Sequence, residues 1–285
     1  MERFTIVYYL GIHDIDMKEK IRTIIKGDNS QLEQTNAYEV VKQITAVLGS
    51  PDPELRDELG YQALIKLLIQ DRLLNTYELQ ELMEEMLSED KLFYRIGEEG
   101  EDSVFLRSFS SLVLALLIHR DQQEPFLSRP DFTKVVESLA RYCHMEKDYR
   151  GFVEGKGWAH APAHISDVMD ECVIHRYSDV DVCRDVWEAM KQLVLHAPRV
   201  FDAEEEERMA TAVCGMVGVK GMTLTTLKEW TNDLASSDYE LHTKINVKNF
   251  VRSVGLRLLV KEPAVDLREW MIELETTYNP GFSQQ

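Results

Sequence analysis

The segment 103–119 has the sequence SVFLRSFSSLVLALLIH, and it decides the class of fold. Phe105, Phe109, Leu112 and Leu116 recur at the three- and four-residue spacing of a helix, and most other positions are apolar as well. A helix that is apolar on nearly all of its faces is buried on more than one side. The sequence therefore predicts a core helix with further helices packed against it.

Helical periodicity also dominates the rest of the chain from Met17 onward. In Glu33–Leu48, for example, apolar residues recur every three or four positions, and the pattern stops at Gly49. Such patterns give about eleven helices with centres roughly 20–25 residues apart, and no strand is predicted after residue 16. A helix pair of roughly 45 residues has the length of a HEAT or armadillo repeat. We therefore expect an all-α fold built as an array of antiparallel helix pairs, a HEAT/armadillo-like α-α superhelix. An αα-toroid or an irregular helical bundle is the alternative.

The organisation of the chain is expected to be simple. Residues 1–16 read as an N-terminal extension, either a strand or a frayed tail. Residues 17–285 read as a single α-helical repeat-like domain without a low-complexity linker. The apolar run Phe4–Ile12 lacks a cationic leader and a small-residue cleavage site. The longest apolar run elsewhere, Leu112–Ile118, is far shorter than the roughly 20 residues that span a bilayer. The expected location is the cytoplasm, with no membrane partner.

The composition is that of an acidic protein, since the 285 residues carry a formal net charge of −18 at pH 7. This charge repels polyanions, so nucleic acid is not an expected partner. The four cysteines (Cys143, Cys172, Cys183 and Cys214) form no C-x-x-C pair and fit no zinc template. Each has apolar neighbours at helical spacing, which favours buried free thiols in a reducing cytosol.

The least regular part of the chain is 146–175, EKDYRGFVEGKGWAHAPAHISDVMDECVIH. Gly151, Gly155 and Gly157 fall close together, and glycine permits a tight excursion of the backbone between helices. If a helix begins just after them, its free N–H groups together with Lys156 would form an anion site. The order of residues is not that of a P-loop, so nucleotide binding is not supported. An ordinary interhelix turn is the alternative.

Two histidines and a carboxylate follow the glycines. On a continuous helix His160, His164 and Asp167 would share one face, and such a set binds zinc or iron or serves as an acid–base pair. The metalloprotease glutamate of H-E-x-x-H is missing, however. Pro162 belongs in a first turn, which would place His160 ahead of the helix and remove the shared face. Metal binding, metal-free ligand contact and a structural role all stay open.

Other candidate site residues lie around this segment. Arg150 would bind a substrate carboxylate, or pair with Glu146 one helical turn back. Arg107 lies on an apolar helix and needs a buried partner or a ligand, with Asp148 as one candidate partner. Trp158 would serve as a packing anchor or stack on a ligand.

The segment DYRGFVEGKGWAHAPAHISD (148–167) resembles a bacterial family known only as domain of unknown function 2785. The family pattern is similar to D-x-R-G followed by G-W-A-H-A-x-A-H-x-x-D. It is matched here by Asp148, Arg150, Gly151, Gly157, Trp158, Ala159, His160, Ala161, Ala163, His164 and Asp167. A weaker match is F-x-R-S-F-S at 105–110. The resemblance covers the chain from about Met17 onward. It implies an all-helical, repeat-like fold and supplies no activity.

The expected function is that of an uncharacterised cytoplasmic helical-repeat protein. It would bind a partner segment or a small anionic ligand in a groove around residues 146–167. The predicted ligand-binding residues are Arg107, Asp148, Arg150, Lys156, Trp158, His160, His164 and Asp167. The alternative is a hydrolase that uses the last three as ligands of a divalent transition metal, or as base and orienting group. A third hypothesis makes the loop purely structural and places the function on the acidic stretch 89–102.

Overall fold

The computed structural model describes residues 15–27, 36–235, 238–261 and 265–279. Most of these residues are helical, and the strands that the structure describes form one small two-stranded sheet. The prediction of an all-α fold is thereby confirmed. The predicted N-terminal extension, 1–16, lies outside the described residues except at its end, where a helix over 15–25 begins.

The chain divides into two compact units. Unit 1 contains the described residues up to Arg95 together with Gly100–Phe126 and Phe152–Ala159. Unit 2 contains Ile96–Glu99, Leu127–Gly151 and the described residues from His160 onward. Compact units of this kind can belong to one domain, so the single domain expected over 17–285 stays a prediction.

Unit 1 is built from short helices around one long helix. Its elements are α1 (15–25), α2 (Ala37–Ala46), α3 (the consecutive segments Glu54–Gly60, Tyr61–Ile65 and Lys66–Gln70), α4 (Thr76–Met86), α5 (Ser103–Gln123), β1 (Phe152–Val153) and β2 (Gly157–Trp158). The first and last segments of α3 have π-helical hydrogen bonding. Helices α3 and α4 both pack on α5.

Helix α5 is the predicted core helix. Phe105 is fully buried, and Phe109 and Leu112 are only 3% and 7% exposed. Among the described helices, α5 alone is long and apolar enough to cross a membrane, but 83% of its apolar window is buried within the protein. Length and apolar composition are weak evidence for a membrane span, because the core helix of a soluble protein passes the same test.

Unit 2 consists of longer helices. They are α6 (Arg129–Met145), α7 (Ala161–Val173), α8 (Val180–His196), α9 (Glu205–Met216), α10 (Leu224–Asn232), α11 (Leu241–Lys261) and α12 (Val265–Tyr278). Helix α6 starts at a capping box, in which Ser128 and Asp131 exchange side-chain and backbone hydrogen bonds. Asp179 caps α8 by accepting from two backbone N–H groups.

Helices of unit 2 pack mainly on their next-but-one neighbours. Helix α7 packs on α9, α9 packs on α11, and α6 packs on α8. Gly215 permits the first of these contacts, because a Cβ atom at this position would lie 3.3 Å from Cγ1 of Val173. The segment that joins α6 to α7, residues 146–160, contains strands β1 and β2 of unit 1 and carries most of the candidate site residues.

Candidate functional site

A β-hairpin in unit 1 contains two of the three glycines that the sequence analysis singled out, Gly155 and Gly157. Strands β1 and β2 are antiparallel, with Phe152 opposite Trp158 and Val153 opposite Gly157. The turn is closed by the N–H of Lys156, which donates to the carbonyl of Val153 over 3.0 Å. The prediction that no strand follows residue 16 is therefore wrong for this segment. Strands of two residues have no alternating pattern that periodicity could detect.

Arg56, on the first segment of α3, holds the hairpin to the helices of unit 1. Its guanidinium is fully buried. One nitrogen, Nη1, donates to the carbonyl of Ser50 over 2.6 Å, and Nη2 donates to the carbonyl of Lys156 over 2.6 Å. Nη2 also lies 3.5 Å from the carbonyl of Trp158. A single side chain therefore bonds to the backbone of the turn and to that of β2.

The environment of Arg56 compensates for the burial of its charge. Its Nε lies 2.6 Å from the carboxylate of Asp57. Its guanidinium lies 4.0 Å from the ring centre of Phe105 and 4.9 Å from that of Phe109, both within the range of cation–π attraction. Burial lowers the pKa of Arg56, while Asp57 opposes that shift. Sequence reasoning missed Arg56, because nothing in ELRDELG separates a buried arginine from a surface one.

Gly157 allows the hairpin to lie directly against α3. A Cβ atom at Gly157 would be 2.7 Å from Oδ2 of Asp57, 2.7 Å from Cβ of Pro53 and 3.0 Å from Nη2 of Arg56. The two distances of 2.7 Å are shorter than Cβ atoms essentially ever show, and the third is tighter than most such contacts. The φ angle of Gly157 is also +80°, a region that side chains other than glycine rarely adopt.

The outer face of the hairpin carries two exposed aromatic side chains. Phe152 is 62% exposed and Trp158 is 41% exposed. Their ring centres are 5.2 Å apart and the ring planes make an angle of 77°. This exposure speaks against a role of Trp158 as a buried packing anchor, and its contact with a ligand stays a prediction. Phe152 was not singled out in the sequence.

The two unit 1 cations predicted to bind a ligand have partners within the protein. Lys156 Nζ bonds both carboxylate oxygens of Asp102, at 2.6 and 2.9 Å. Arg107 is fully buried, and its partners include the carbonyls of Tyr94 and Arg95, at 3.1 and 3.3 Å. The expected buried partner of Arg107 is thus supplied in part by backbone oxygens.

In unit 2, Asp148 and Arg150 form a pair. Asp148 is fully buried and accepts from both Nε and Nη2 of Arg150 over 2.7 to 3.1 Å. Such two-pronged pairs are among the stronger ionic contacts. The alternative pairing with Glu146 one turn back requires a helix, and α6 ends at Met145. Glu146 is buried and accepts from the backbone N–H of Asp148 over 2.9 Å.

His160 stands just ahead of α7, as the position of Pro162 suggested. It has a left-handed backbone (φ 49°), and α7 begins at Ala161 with Pro162 in its first turn. The continuous helical face expected for the two histidines is therefore lost. The imidazole rings nevertheless meet, because the ring centre of His164 lies 5.4 Å from that of His160 at an interplanar angle of 66°.

The hydrogen bond of His160 fixes its proton. Nε2 lies 2.8 Å from the carbonyl of Ala203, which can only accept, so the proton sits on Nε2. The side chain is 10% exposed, and this burial lowers the pKa of His160. Burial therefore favours the neutral form of His160, which donates to the backbone.

Asp167 does not join the two histidines. It forms an ion pair with Arg208 on α9 at 2.9 Å, and burial raises the pKa of Asp167 to about 6. Across the described parts of the chain, no group of three or more His, Cys, Asp or Glu side chains could hold a metal ion. The geometry therefore gives no support to the proposed metal set of His160, His164 and Asp167.

Glu205, at the start of α9, is a buried residue of this region that sequence reasoning missed. It is fully buried, and its Oε2 accepts from the N–H of Ala203 over 2.9 Å. Its Oε1 has no hydrogen-bond partner among the residues that the structure describes, and lies 3.9 Å from Nε2 of His160. Burial raises the pKa of Glu205. In the run EEEE the sequence could not distinguish this residue from its less buried neighbours.

A prediction concerns Gly151, which is packed against the segment before α9. A Cβ atom at Gly151 would lie 2.7 Å from Cβ of Ala203. We expect Gly151→Ala to lower the free energy of unfolding by about 1–3 kcal/mol, the usual cost of overpacking. Adding Ala203→Gly removes the clashing methyl group and should restore most of the loss. Urea denaturation of both variants checks this, and a double variant no more stable than Gly151→Ala would contradict it.

A second prediction concerns Asp170 on α7. Burial raises the pKa of Asp170 to about 6, with a contribution from Glu171. A carboxyl whose pKa is raised by folding stabilises the fold when protonated, and this contribution is lost as the pH rises through about 6. Asp170→Asn should therefore be more stable than the wild type at pH 7, by about 1–2 kcal/mol after allowance for partial exposure. The difference in free energy of unfolding between Asp170→Asn and the wild type should vanish near pH 4. Urea denaturation at several pH values measures it. A difference that did not change with pH would refute the prediction.

Comparison with known proteins gives one match. Residues 92–256 match the model of the family described as "Protein of unknown function (DUF2785)". No curated protein and no solved structure matches the chain. The matched range is more than half of the chain and includes the hairpin, the Asp148–Arg150 pair and Glu205, whereas Arg56 lies before it.

Proposed function

Because the chain belongs to the family described as "Protein of unknown function (DUF2785)", which supplies no activity, we propose a function from the site itself. The chain is a binding protein that captures a protein segment on the outer face of the β1–β2 hairpin, within the region 146–167 that the sequence singled out. This site belongs to unit 1, and it consists of Phe152 and Trp158 with the residues that hold them in place.

One observation carries this proposal, namely the exposure of two large neighbouring aromatic side chains. Phe152 and Trp158 are 62% and 41% exposed, and their ring centres are 5.2 Å apart. Aromatic residues are enriched at the centres of protein–protein interfaces, where they supply much of the binding free energy. Single exposed apolar side chains are normal on a protein surface, whereas neighbouring ones often mark an interaction site.

The rigid support of the hairpin also favours binding. Arg56 bonds to the backbone beneath the aromatic residues, and Gly157 packs directly on α3. A surface that is already ordered loses little conformational entropy when a partner binds. Two solvent-facing rings held in this way therefore bind more tightly than the same rings on a mobile loop.

A partner segment is favoured over the small anionic ligand that the sequence also suggested. Lys156 is engaged by Asp102, and Arg150 is engaged by Asp148, so a small anion would have to displace a carboxylate from either cation. The acid–base hydrolase is also disfavoured, because His160 donates its Nε2 proton to a backbone carbonyl.

Two further parts of the proposal concern the setting of the site. We propose that unit 2 is an array of helix pairs of the HEAT/armadillo kind. Support comes from the packing of α7 on α9 and of α9 on α11, since stacked repeats contact their neighbours in this next-but-one order. We also propose a cytoplasmic location, which suits four unpaired cysteines.

The test uses a defined peptide library. Random peptides of 12 residues displayed on phage are selected against the full chain and then measured against the double variant Phe152→Ala/Trp158→Ala. The expected result is a set of peptides whose dissociation constants rise at least tenfold on the double variant, because about 2 kcal/mol is typical of an aromatic interface residue.

A matched control removes exposed apolar side chains elsewhere. Tyr77 and Ile272 are each 67% exposed, and the variant Tyr77→Ala/Ile272→Ala should bind the selected peptides as the wild type does. Peptides that bind all three proteins equally would overturn the proposal. A selection that enriches no peptide would also overturn it.

A further inference from the structure

On the premise that the hairpin captures a protein segment, as proposed above, we infer that the group it recognises is the cationic side chain of a lysine or arginine. The cation lies against the rings of Phe152 and Trp158. The partner is therefore a basic protein segment.

The arrangement of the rings suits a cation. The ring planes of Phe152 and Trp158 make an angle of 77°, so the two rings are nearly perpendicular to each other. A cation within about 6 Å of a ring centre is attracted to the negative face of the ring, and tryptophan attracts it most strongly. A flat aromatic ligand inserted between the two rings would instead need parallel ring faces, which this pair does not offer.

The charges around the hairpin favour the same choice. The cation that bonds the hairpin backbone and the cation in its turn are both paired with carboxylates, Arg56 with Asp57 and Lys156 with Asp102. Glu154, which lies in the turn between the strands, is exposed and forms no ion pair with the part of the chain that the structure describes. It therefore leaves the hairpin with a negative charge that attracts a cation at short range.

The charge of the whole chain acts over longer distances. A formal net charge of −18 steers basic segments towards the protein and repels acidic ones. Acidic segments and nucleic acid are thus disfavoured partners, although their bases or side chains could contact exposed rings. A neutral apolar segment would gain nothing from this field, so the choice between an apolar and a cationic occupant can be measured.

The experiment compares two small probes of nearly the same shape. Choline carries a quaternary ammonium group, and 3,3-dimethylbutan-1-ol carries the uncharged tert-butyl group in its place. Each is titrated into the full chain while the NMR signal of the Trp158 indole N–H is followed, assigned by its loss in Trp158→Phe. Choline should bind at least about threefold more tightly than the neutral alcohol, as expected for an exposed cation–π contact.

Three variants separate a cation–π contact from a simple apolar contact. The Phe152 ring signals should still shift with choline in Trp158→Phe, whereas Trp158→Leu should lose the preference for choline and retain weak binding of both probes. Glu154→Gln should weaken choline binding about twofold and leave the neutral alcohol unchanged. Glu240→Gln, which removes a carboxylate that is 83% exposed in unit 2, is the matched control and should change neither.

The outcomes distinguish this inference from the function on which it rests. Equal binding of the two probes, together with phage peptides that need the aromatic pair but are not enriched in lysine or arginine, overturns the cation and leaves segment capture standing. A preference for choline without any peptide that needs the aromatic pair overturns segment capture. Enriched basic peptides that choline displaces, and the neutral alcohol does not, are the result we expect.

Discussion

Gly157→Ala is expected to lower the free energy of unfolding by about 2–4 kcal/mol and to detach the hairpin from α3. Two costs combine in this variant. The φ angle of +80° strains any residue with a side chain. The added methyl group would also lie 2.7 Å from both Asp57 and Pro53, which an ordered contact cannot accommodate without movement. Urea denaturation measures the loss of stability, and the NMR signal of the Trp158 indole N–H, assigned by its loss in Trp158→Phe, reports the release of the hairpin.

Gly155→Ala is the matched control for this prediction. Gly155 has a similar φ angle of +74°, but a Cβ atom there would have no described atom within 4 Å. The control therefore bears the backbone strain alone and should cost about 1 kcal/mol. If the two variants lost the same stability, the close packing of Gly157 against α3 would be refuted.

Arg56→Met is the second variant with a large expected effect. It removes the donors to the carbonyls of Ser50 and Lys156 and leaves the neighbouring carboxylate of Asp57 without its partner. Loss of one member of a buried ion pair costs about 3–5 kcal/mol. The aliphatic methionine keeps contact with the rings of Phe105 and Phe109, so the loss reports mainly on the polar contacts. Thermal and urea denaturation both measure it.

Two further variants show whether the loss has the stated origin. Adding Asp57→Asn to Arg56→Met removes the uncompensated carboxylate and should recover about 1–2 kcal/mol, since the remaining buried groups are then neutral. Lys42→Met breaks the exposed ion pair with Glu39 and should lower the stability far less than Arg56→Met does. An Arg56→Met variant as stable as Lys42→Met would show that Arg56 does not hold the hairpin.

The helical part of the structure could be predicted well from the sequence, because the apolar residues of a helix recur every three or four positions. The core helix α5 illustrates this, since its burial follows from the apolar residues on most of its faces. Hairpin formation by 152–158 was not predictable in the same way. Its strands have two residues each, and its support comes from Arg56, which is 100 residues away in the sequence from the carbonyl of Lys156 that it bonds.

For the site too, features of the local sequence could be predicted and contacts between distant residues could not. The glycine-rich segment and its aromatic residue Trp158 were found, because Gly155 and Gly157 do adopt backbone angles that favour glycine. A shared position of His160 and His164 was expected only on a continuous helix, whereas their ring contact involves a residue ahead of the helix. Partners on other elements could not be read from spacing, as the pairing of Asp167 with Arg208 across 41 residues shows.

The bond from Arg56 to the turn has a consequence for how the chain acquires its shape. Forming it closes a span of 100 residues, so the hairpin gains its anchor only after α3 has docked. A fragment cut at the family boundaries, 92–256, would lack Arg56 and leave the carbonyl of Lys156 without that donor. The residues that present the aromatic pair to solvent thus depend on an early part of the polypeptide that shares no motif with them.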